Sequence, residues 1–179
     1  MTERPEAADE GFVEIETDKF SGLIHWRGSR AAPALTLHAP GMASPTNAGD
    51  DALYIDLPGH GLSDDWQGDA PTDWESWSRL ITACAEHFGT DTVHYATLPA
   101  GEPELLYPDL APDRFGNYLT KAWQIVRATQ FFAPWYDANA ANAVAFDPGS
   151  LSLELLAERH LQLLNARAAK EYHIAALKR

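Results

Sequence analysis

Three histidines lie in the segments of this sequence whose residue types could bind a ligand or move a proton. His38 ends an apolar run, His60 lies between two glycines, and His94 lies inside a short apolar stretch. An imidazole can transfer protons near neutral pH, but it can also simply hydrogen bond the nearby backbone. We favour the backbone role for His38 and His60 while keeping both as candidate ligand contacts, and we predict that His94 packs in the core.

A dense group of aromatic residues could form the wall of an apolar pocket. The candidate ligand-binding set combines these rings with residues of two loops: His38, Gly41, Met42, His60, Trp123, Phe131, Trp135 and Tyr136. Aromatic residues at such spacing can also fill the core between two layers, so a pocket is one of two alternatives. The sequence has no phosphate-binding glycine loop, zinc pattern or dinucleotide fingerprint, and we predict neither a cofactor nor a metal site.

The charge balance restricts the partners. The 179 residues carry a formal net charge of −13, and such a surface repels nucleic-acid phosphates and anionic lipid headgroups. We therefore predict no binding to nucleic acid or to membranes. The single cysteine, Cys84, cannot form an internal disulfide and lies on a predicted buried helix face. No signal peptide and no apolar run of membrane-spanning length is recognisable, which predicts a cytoplasmic protein.

The elements that must position these residues fall into three parts. Residues 1–11 are predicted to be a flexible tail, residues 12–98 a sheet core and residues 99–179 a helical cap. Alternating apolar and polar residues, or short apolar runs, predict five strands, at residues 12–17, 22–27, 33–38, 52–57 and 92–96. We expect the first two strands to form a hairpin.

The helices are predicted from their apolar spacing and their end signals. Residues 73–88 carry one apolar stripe, with a capping box formed by Thr72 and Glu75 and a stop at Gly89. After a proline-rich linker at 99–112, further helices are predicted at residues 113–129, 137–145 and 150–177. Strands followed by helices indicate an α/β fold with about five strands and a C-terminal helical cap.

Two loops carry a resemblance to a known family. Residues 35–41 read L-T-L-H-A-P-G, and residues 56–63 read D-L-P-G-H-G-L-S. Both resemble, in order and in spacing, loops that follow sheet strands in α/β-hydrolases, where the first supplies the oxyanion hole. Residues 107–136 are similar to the helical lid of that family. The resemblance implies an α/β-hydrolase-like sheet over residues 12–96 and a mainly structural role for His38.

The sequence departs from that family where catalysis would occur. Residues 97–101 read T-L-P-A-G, in place of the G-x-S-x-G turn that presents the nucleophile. Ala39 replaces the usual glycine of the oxyanion loop, and the later strands with the catalytic acid and histidine have no counterpart before Arg179. We interpret the chain as a truncated member that lacks the nucleophile elbow and the C-terminal catalytic strands.

Three functions fit this interpretation. The one we favour is a protein without a conventional catalytic triad that binds a small apolar molecule or acts as an oligomeric subunit. The alternative is a hydrolase-family enzyme with an unconventional site, assembled across an oligomer interface, in which His60, His94 or Tyr95 would transfer protons. A third is a degenerate product that folds without activity.

The strand at residues 92–96 also predicts assembly. It lies mid-sheet in the resembling family, and without the later strands it becomes an edge with unpaired N–H and C=O groups. Cap helices could cover this edge, or two copies could join their sheets across a two-fold axis. We favour a homodimer, because helices cover the face of a sheet more readily than they satisfy the hydrogen bonds of its edge.

Overall fold

A mixed five-stranded sheet forms the centre of the computed structural model, which describes residues 9–49, 51–146 and 148–179. The strands are β1 (Glu10–Glu16), β2 (Ser21–Gly28), β3 (Leu35–Leu37), β4 (Leu53–Ile55) and β5 (Val93–Tyr95). Their order is β1-β2-β4-β3-β5, with β1 and β4 antiparallel to β2, and β4 and β5 parallel to β3. The predicted α/β class, the hairpin and the five strands are confirmed.

Burial along the strands explains why these segments pair. On β1, Val13 and Ile15 are buried while Glu14 and Glu16 are exposed, which is the period of two expected for a strand with one wet face. On the central strands β3 and β4, Leu35, Leu53 and Ile55 are fully buried on one face, while Thr36 and Tyr54 on the other face are half-buried. The side chains of these two strands therefore also alternate between a core face and a less covered one.

The first helix, α1 (Trp74–Phe88), covers one face of the sheet. Its apolar stripe is buried as predicted, with Trp77, Leu80, Ile81 and Cys84 at 0–1% exposure, and burial raises the pKa of the Cys84 thiol to about 12. Gly89 ends the helix with a φ of 72°.

The predicted capping box is wrong by one position. Asp73, not Thr72, is the N-cap residue, and its carboxylate accepts hydrogen bonds from Ser76 N at 2.8 Å and Ser76 Oγ at 2.7 Å. Glu75 does not reach back to the cap and instead pairs with Arg79 one turn later. An aspartate in extended conformation satisfies the free amides of the first turn better than the threonine before it.

After β5, the regular secondary structure of the chain consists of helices. These helices are α2 (Pro103–Leu106), α3 (Asn117–Ala128), α4 (Leu153–Leu164) and α5 (Ala169–Ala176), with short 3-10 turns at Ala140–Asn142 and Pro148–Ser150. The linker predicted at 99–112 therefore contains a helix, and the long helix predicted at 150–177 is two helices. The segment predicted as a helix at 137–145 contains only a 3-10 turn. In the part of the chain that the structure describes, no helix is long and apolar enough to cross a membrane.

The break between α4 and α5 has a packing cause. Ala168 donates a backbone hydrogen bond to the carbonyl of Gly59 at 3.3 Å, and it lies so close to Gly59 that a side chain there would collide with it. From this contact α5 runs under the sheet, where Tyr172 and Ala175 join the hydrophobic core. The last helix therefore packs with the sheet core, whereas α3 and α4 pack against each other.

Several local expectations were wrong. Glu10 and Gly11, assigned to the tail, belong to β1, and residues 1–8 of that tail lie outside the described residues. Phe115, inside the helix predicted at 113–129, lies before the start of α3 and is 73% exposed. His94 is exposed on the edge strand β5 and is not a core residue, because no further strand among the described residues covers it.

The cap assignment can be tested with two alanine variants. Asp73→Ala removes the acceptor of the first-turn amides and should lower the free energy of unfolding by about 1 kcal/mol. Thr72→Ala should change it by less than roughly 0.5 kcal/mol, as is usual for a surface side chain. Equilibrium urea unfolding measures both, with the exposed Asp69→Ala as a further control for removing a charge. A larger loss for Thr72→Ala would contradict the assignment.

Candidate functional site

The loop that follows β4, residues 56–63, is built around a buried carboxylate. We call it the Asp56 loop. The Oδ1 atom of Asp56 accepts a hydrogen bond from Ser44 N at 2.6 Å, and Oδ2 accepts from Leu62 N at 3.1 Å. The imidazole of His25 on β2 lies with Nδ1 2.9 Å from Oδ2 and donates to it. One side chain thus joins a strand and two loops.

The surroundings of Asp56 hold it in the ionised form. Burial alone would raise the pKa of this carboxyl, but the hydrogen bonds from His25, Ser44 and Leu62 outweigh burial and place the pKa well below its usual range. Because an unfolded aspartate has a pKa of about 4, the ionised carboxylate stabilises the fold above that pH. This stabilisation is lost as the pH falls towards the lower folded pKa.

Ser63, at the end of the same loop, has a structural role. Its hydroxyl donates to the carbonyl of Asp56 at 2.6 Å and accepts from the backbone amide of His25 at 2.9 Å. A serine nucleophile needs a side-chain base within reach of its hydroxyl, whereas this hydroxyl bonds to backbone groups.

His38, at the end of β3, bonds the backbone through both ring nitrogens. Nδ1 lies 2.9 Å from the carbonyl of Ala39 and donates to it, and Nε2 accepts from Leu57 N at 3.0 Å. Because Nε2 accepts from an amide N–H, it carries no proton, so the ring is neutral and in one tautomer; burial lowers the pKa of this imidazole. The predicted backbone role of His38 is confirmed.

His60, in the middle of the Asp56 loop, is fully buried. Its Nδ1 lies 3.1 Å from the carbonyl of Pro58, and its ring lies 4.7 Å from the ring of His38 and 5.9 Å from that of Tyr172. Burial places the pKa of His60 well below its usual value, and Nε2 has no hydrogen-bond partner among the described residues. A neutral, enclosed ring of this kind serves packing rather than contact with a ligand.

An apolar cavity of about 340 Å³ lies between the loop after β3 and the cap helices. We call it the cap cavity. Residues 39–42 form one wall, Leu106 and Tyr107 at the end of α2 form another, and Ile125 and Val126 of α3 line its depth. Arg159 and Leu163 of α4 close the remaining side. Among the described residues that line the cavity there is no serine, cysteine, histidine, aspartate or glutamate.

The structure brings some of the predicted ligand-binding residues to this cavity and leaves others outside. Gly41, Met42 and Trp135 line it. Phe131 does not; it is 41% exposed and lies against Phe146 at a ring distance of 4.8 Å. Phe132, the next residue, lines the cavity instead, because the chain makes a turn after α3 in which the amides of Phe131 and Phe132 both donate to the carbonyl of Ala128.

Trp123 and Tyr136 lie near the cavity without lining it. The ring of Trp123 lies 5.6 Å from that of His160, on the contact between α3 and α4. The hydroxyl of Tyr136 accepts a hydrogen bond from Glu102 N at 2.9 Å. Both therefore support the elements of the cap, which is the core-filling alternative weighed for the aromatic group.

Tyr107 and Arg159 are two polar residues of the cavity that the sequence did not reveal. The hydroxyl of Tyr107 lies 3.3 Å from the carbonyl of Pro40 and 3.1 Å from Nδ1 of the buried His173, and burial raises the pKa of Tyr107 and lowers that of His173. Tyr107 stands in the proline-rich segment, which has no period to reveal it. Arg159 is a charged residue on a helix, a pattern that ordinarily indicates a solvated face.

A second cavity, of about 430 Å³, lies beside the cap cavity at the carboxyl ends of β3 and β5. We call it the edge cavity. His38, His94 and Tyr95 line it, together with Gln162, whose buried Oε1 has no hydrogen-bond partner among the described residues. Of His60, His94 and Tyr95, which the enzyme alternative considers for proton transfer, His94 and Tyr95 line this cavity and are exposed, whereas His60 does not line it.

The segment after β5 passes directly into the cap cavity. Pro99 and Ala100 line that cavity, at the place where the resemblance would put a nucleophile turn. Thr97 is exposed and lines neither cavity. Among the described residues no group of three His, Cys, Asp or Glu side chains is placed to hold a metal ion, and Asp65 of the acidic pair after Ser63 forms an ion pair with Arg167 at 2.7 Å.

The geometry of the Asp56 loop can be tested at its glycines. Gly61 has a φ of 52°, and a side chain there would collide with the Asp56 carboxylate. Gly61→Ala should lower the free energy of unfolding by roughly 3 kcal/mol, from backbone strain and from displacement of Asp56. Gly68→Ala is the matched control, because Gly68 also has a positive φ, 96°, but open space around it.

A larger loss for Gly61→Ala than for Gly68→Ala reports the collision with Asp56, since alanine at a φ of 96° is at least as strained as alanine at 52°. Equilibrium chemical unfolding of the two proteins gives this difference directly. Equal losses for Gly61→Ala and Gly68→Ala would mean that the carboxylate does not occupy the position described.

Comparisons with known proteins add the relation of this fold to others. No family model and no curated protein matches the chain. Among solved structures, the N-acyl homoserine lactonase AidH is 14% identical with a TM-score of 0.53, over 94% of this chain and 70% of that one. The Cif epoxide hydrolase from Acinetobacter nosocomialis is 16% identical with a TM-score of 0.54, over 98% of this chain and 67% of that one.

The epoxide hydrolase VrEH1 from Vigna radiata is 10% identical with a TM-score of 0.54, over 96% of this chain and 72% of that one. These proteins share the α/β-hydrolase fold, and identities this low establish a fold and not an activity. The sheet order, the two loops and these similarities together show that this chain has an α/β-hydrolase-like fold.

Proposed function

We propose that this protein binds a small, largely apolar molecule in the cap cavity and does so without the chemistry of a serine triad. The observation that carries the proposal is the cavity itself, about 340 Å³ between residues 39–42 and the cap helices. Ligand pockets commonly measure roughly 300–1,000 Å³ and are lined by apolar and aromatic side chains with few polar groups. The cap cavity fits the lower end of that range.

The chemistry of the lining supports binding over catalysis. Ile125, Val126 and Leu163 offer aliphatic surface, and Trp135 offers an aromatic face. The indole Nε1 of Trp135 donates to the carbonyl of Leu106 at 3.1 Å, so this ring is held in place by a bond of its own. A preformed apolar site with fixed walls binds its ligand with little loss of side-chain freedom.

The runner-up is an enzyme with an unconventional site. It is favoured by one observation: His94 and Tyr95 line the edge cavity, next to the cap cavity, and could exchange protons with a molecule bound there. The structural neighbours include a lactonase and epoxide hydrolases. A reaction in this chain would need a nucleophile or an activated water, and the lining residues of the cap cavity include no base to activate either.

Binding can be tested with a series of straight-chain alcohols of increasing length. Each further methylene buried should add about 0.8 kcal/mol, or roughly a four-fold increase in affinity, until the cavity is full. Titration calorimetry measures the affinities. Thr129→Phe places a ring at the cavity wall and should weaken binding of every alcohol, whereas Thr120→Phe, the same change on an exposed position of α3, should not.

An affinity that does not rise with chain length, or that responds equally to both phenylalanine variants, would contradict binding in the cap cavity. The catalytic alternative is tested on the same protein with a fluorophosphonate probe and with short activated esters. We expect neither labelling nor turnover above a heat-treated sample. Stoichiometric labelling of one serine would overturn the proposal and establish an enzyme.

We also propose that two copies of the chain join at β5. This strand pairs only with β3 among the described strands. Thr92 accepts a hydrogen bond from Leu35 N at 2.9 Å on the β3 side. Because backbone groups alternate along a strand, those of Val93 and Tyr95 point to the open side. A second β5, antiparallel across a two-fold axis, would satisfy them.

The assembly is tested by static light scattering at micromolar concentration. We expect twice the chain mass of 19.7 kDa. Val93→Pro removes an amide on the open side of β5 and should shift the protein towards the monomer. A monomeric unmodified protein with slowly exchanging Val93 and Tyr95 amides would mean that the cap covers this edge and that the dimer is wrong.

A further inference from the structure

The cap cavity contains a single charged side chain, and it lies at the mouth. Arg159 of α4 is exposed to solvent, and it lines both the cap cavity and the edge cavity where the two adjoin. The remaining described residues of the cap cavity are uncharged. A molecule that entered this cavity would therefore have its apolar part among Ile125, Val126 and Trp135 and its last atoms beside a guanidinium.

The guanidinium of Arg159 has no carboxylate partner among the described residues. Its Nη1 lies 3.1 Å from the thioether sulfur of Met42, and a thioether is a weak acceptor. Other arginines of the chain do form ion pairs, for example Arg27 with Glu10 and Arg167 with Asp65. In a chain with 26 acidic and 13 basic residues, an unpaired arginine at a cavity mouth leaves a strong donor available.

Glu158, the residue before Arg159, does not form an ion pair with its guanidinium. The Oε1 atom of Glu158 accepts from Thr46 N at 3.0 Å and from Thr46 Oγ1 at 2.7 Å, so this carboxylate is occupied with the loop after β3. Glu158 also lines the edge cavity, and its charge repels a doubly charged anion more strongly than a singly charged one. The site thus favours a singly charged head group.

From these contacts we infer that the ligand is an amphipathic monocarboxylate, with its alkyl part in the cap cavity and its carboxylate on Arg159. The planar guanidinium matches a carboxylate with two parallel hydrogen bonds. The apolar lining leaves no other charged group for the head, so the charge also sets the orientation of the ligand. This inference rests on the proposed binding function and adds the chemical class of the ligand to it.

The test compares three probes on the full chain: decanoate, 1-decanol and decyl phosphate, titrated near neutral pH. Arg159→Gln should weaken decanoate binding about ten-fold, as expected for loss of a charge-assisted hydrogen bond, and should leave 1-decanol within about two-fold of the unmodified protein. Arg127→Gln is the matched control, because Arg127 is exposed on α3 and lines neither cavity. It should change neither affinity.

A second measurement uses the unmodified protein, so it does not depend on the folding of a variant. Decanoate binding should weaken as salt is raised from low to high concentration, whereas 1-decanol binding should not, since only the former includes an ion pair near solvent. Decyl phosphate should bind more weakly than decanoate because of its additional charge.

The possible outcomes distinguish this inference from the proposed binding function on which it rests. If neither decanoate nor 1-decanol binds the unmodified protein, both the cavity function and the ligand class are wrong. If both bind, but decanoate is insensitive to Arg159→Gln and to salt, the cavity function stands and the carboxylate inference is overturned. Tighter binding of decyl phosphate than of decanoate would likewise overturn the choice of a monocarboxylate.

Discussion

The buried carboxylate of Asp56 is the group on which the rest of the site depends. It accepts hydrogen bonds from His25 on β2, from Ser44 in the loop after β3 and from Leu62 in its own loop. A charge is stable in the interior only where such donors replace its lost water. Because each of these segments meets the same carboxylate, their relative positions are set together rather than one at a time.

The walls of the cap cavity follow from that arrangement. The loop after β3, held by Asp56 at Ser44, presents residues 39–42 to the cavity. The Asp56 loop meets α5 where Gly59 contacts Ala168, and α5 in turn carries His173, which lies 3.1 Å from the hydroxyl of Tyr107 in the cavity wall. A continuous series of contacts therefore runs from the sheet through two loops to the cap, which is how a core interaction shapes a binding surface.

An α/β-hydrolase-like fold does not by itself assign an activity, and this chain illustrates why. Its structural neighbours include a lactonase and epoxide hydrolases, yet the segment after β5 brings Pro99 and Ala100 to the cavity. What distinguishes the cavity is an apolar lining with one guanidinium at its mouth. Under the proposed function, such a lining would discriminate ligands by length and by charge, and these are binding properties that need no reacting group.

The sequence by itself determined the features that depend on local periodicity and on local backbone geometry. The strands follow from alternation and α1 from its apolar stripe, and the two glycines beside His60 stand where the structure has positive φ, 71° and 52°. The backbone-bonding role of His38 was also predicted, and one of its partners is the carbonyl of the next residue, Ala39. These are short-range constraints, and a local sequence pattern is enough to predict them.

The tertiary structure alone decided which surfaces are covered and which distant side chains meet. Periodicity shows that a face is apolar, but it does not show what packs on it, so the exposure of His94 and the choice of Phe132 over Phe131 could not be predicted. Arg159 and Met42 meet across 117 positions of the chain, and Tyr107 and His173 across 66. Contacts at that separation depend on how the cap packs on the sheet, for which no local pattern exists.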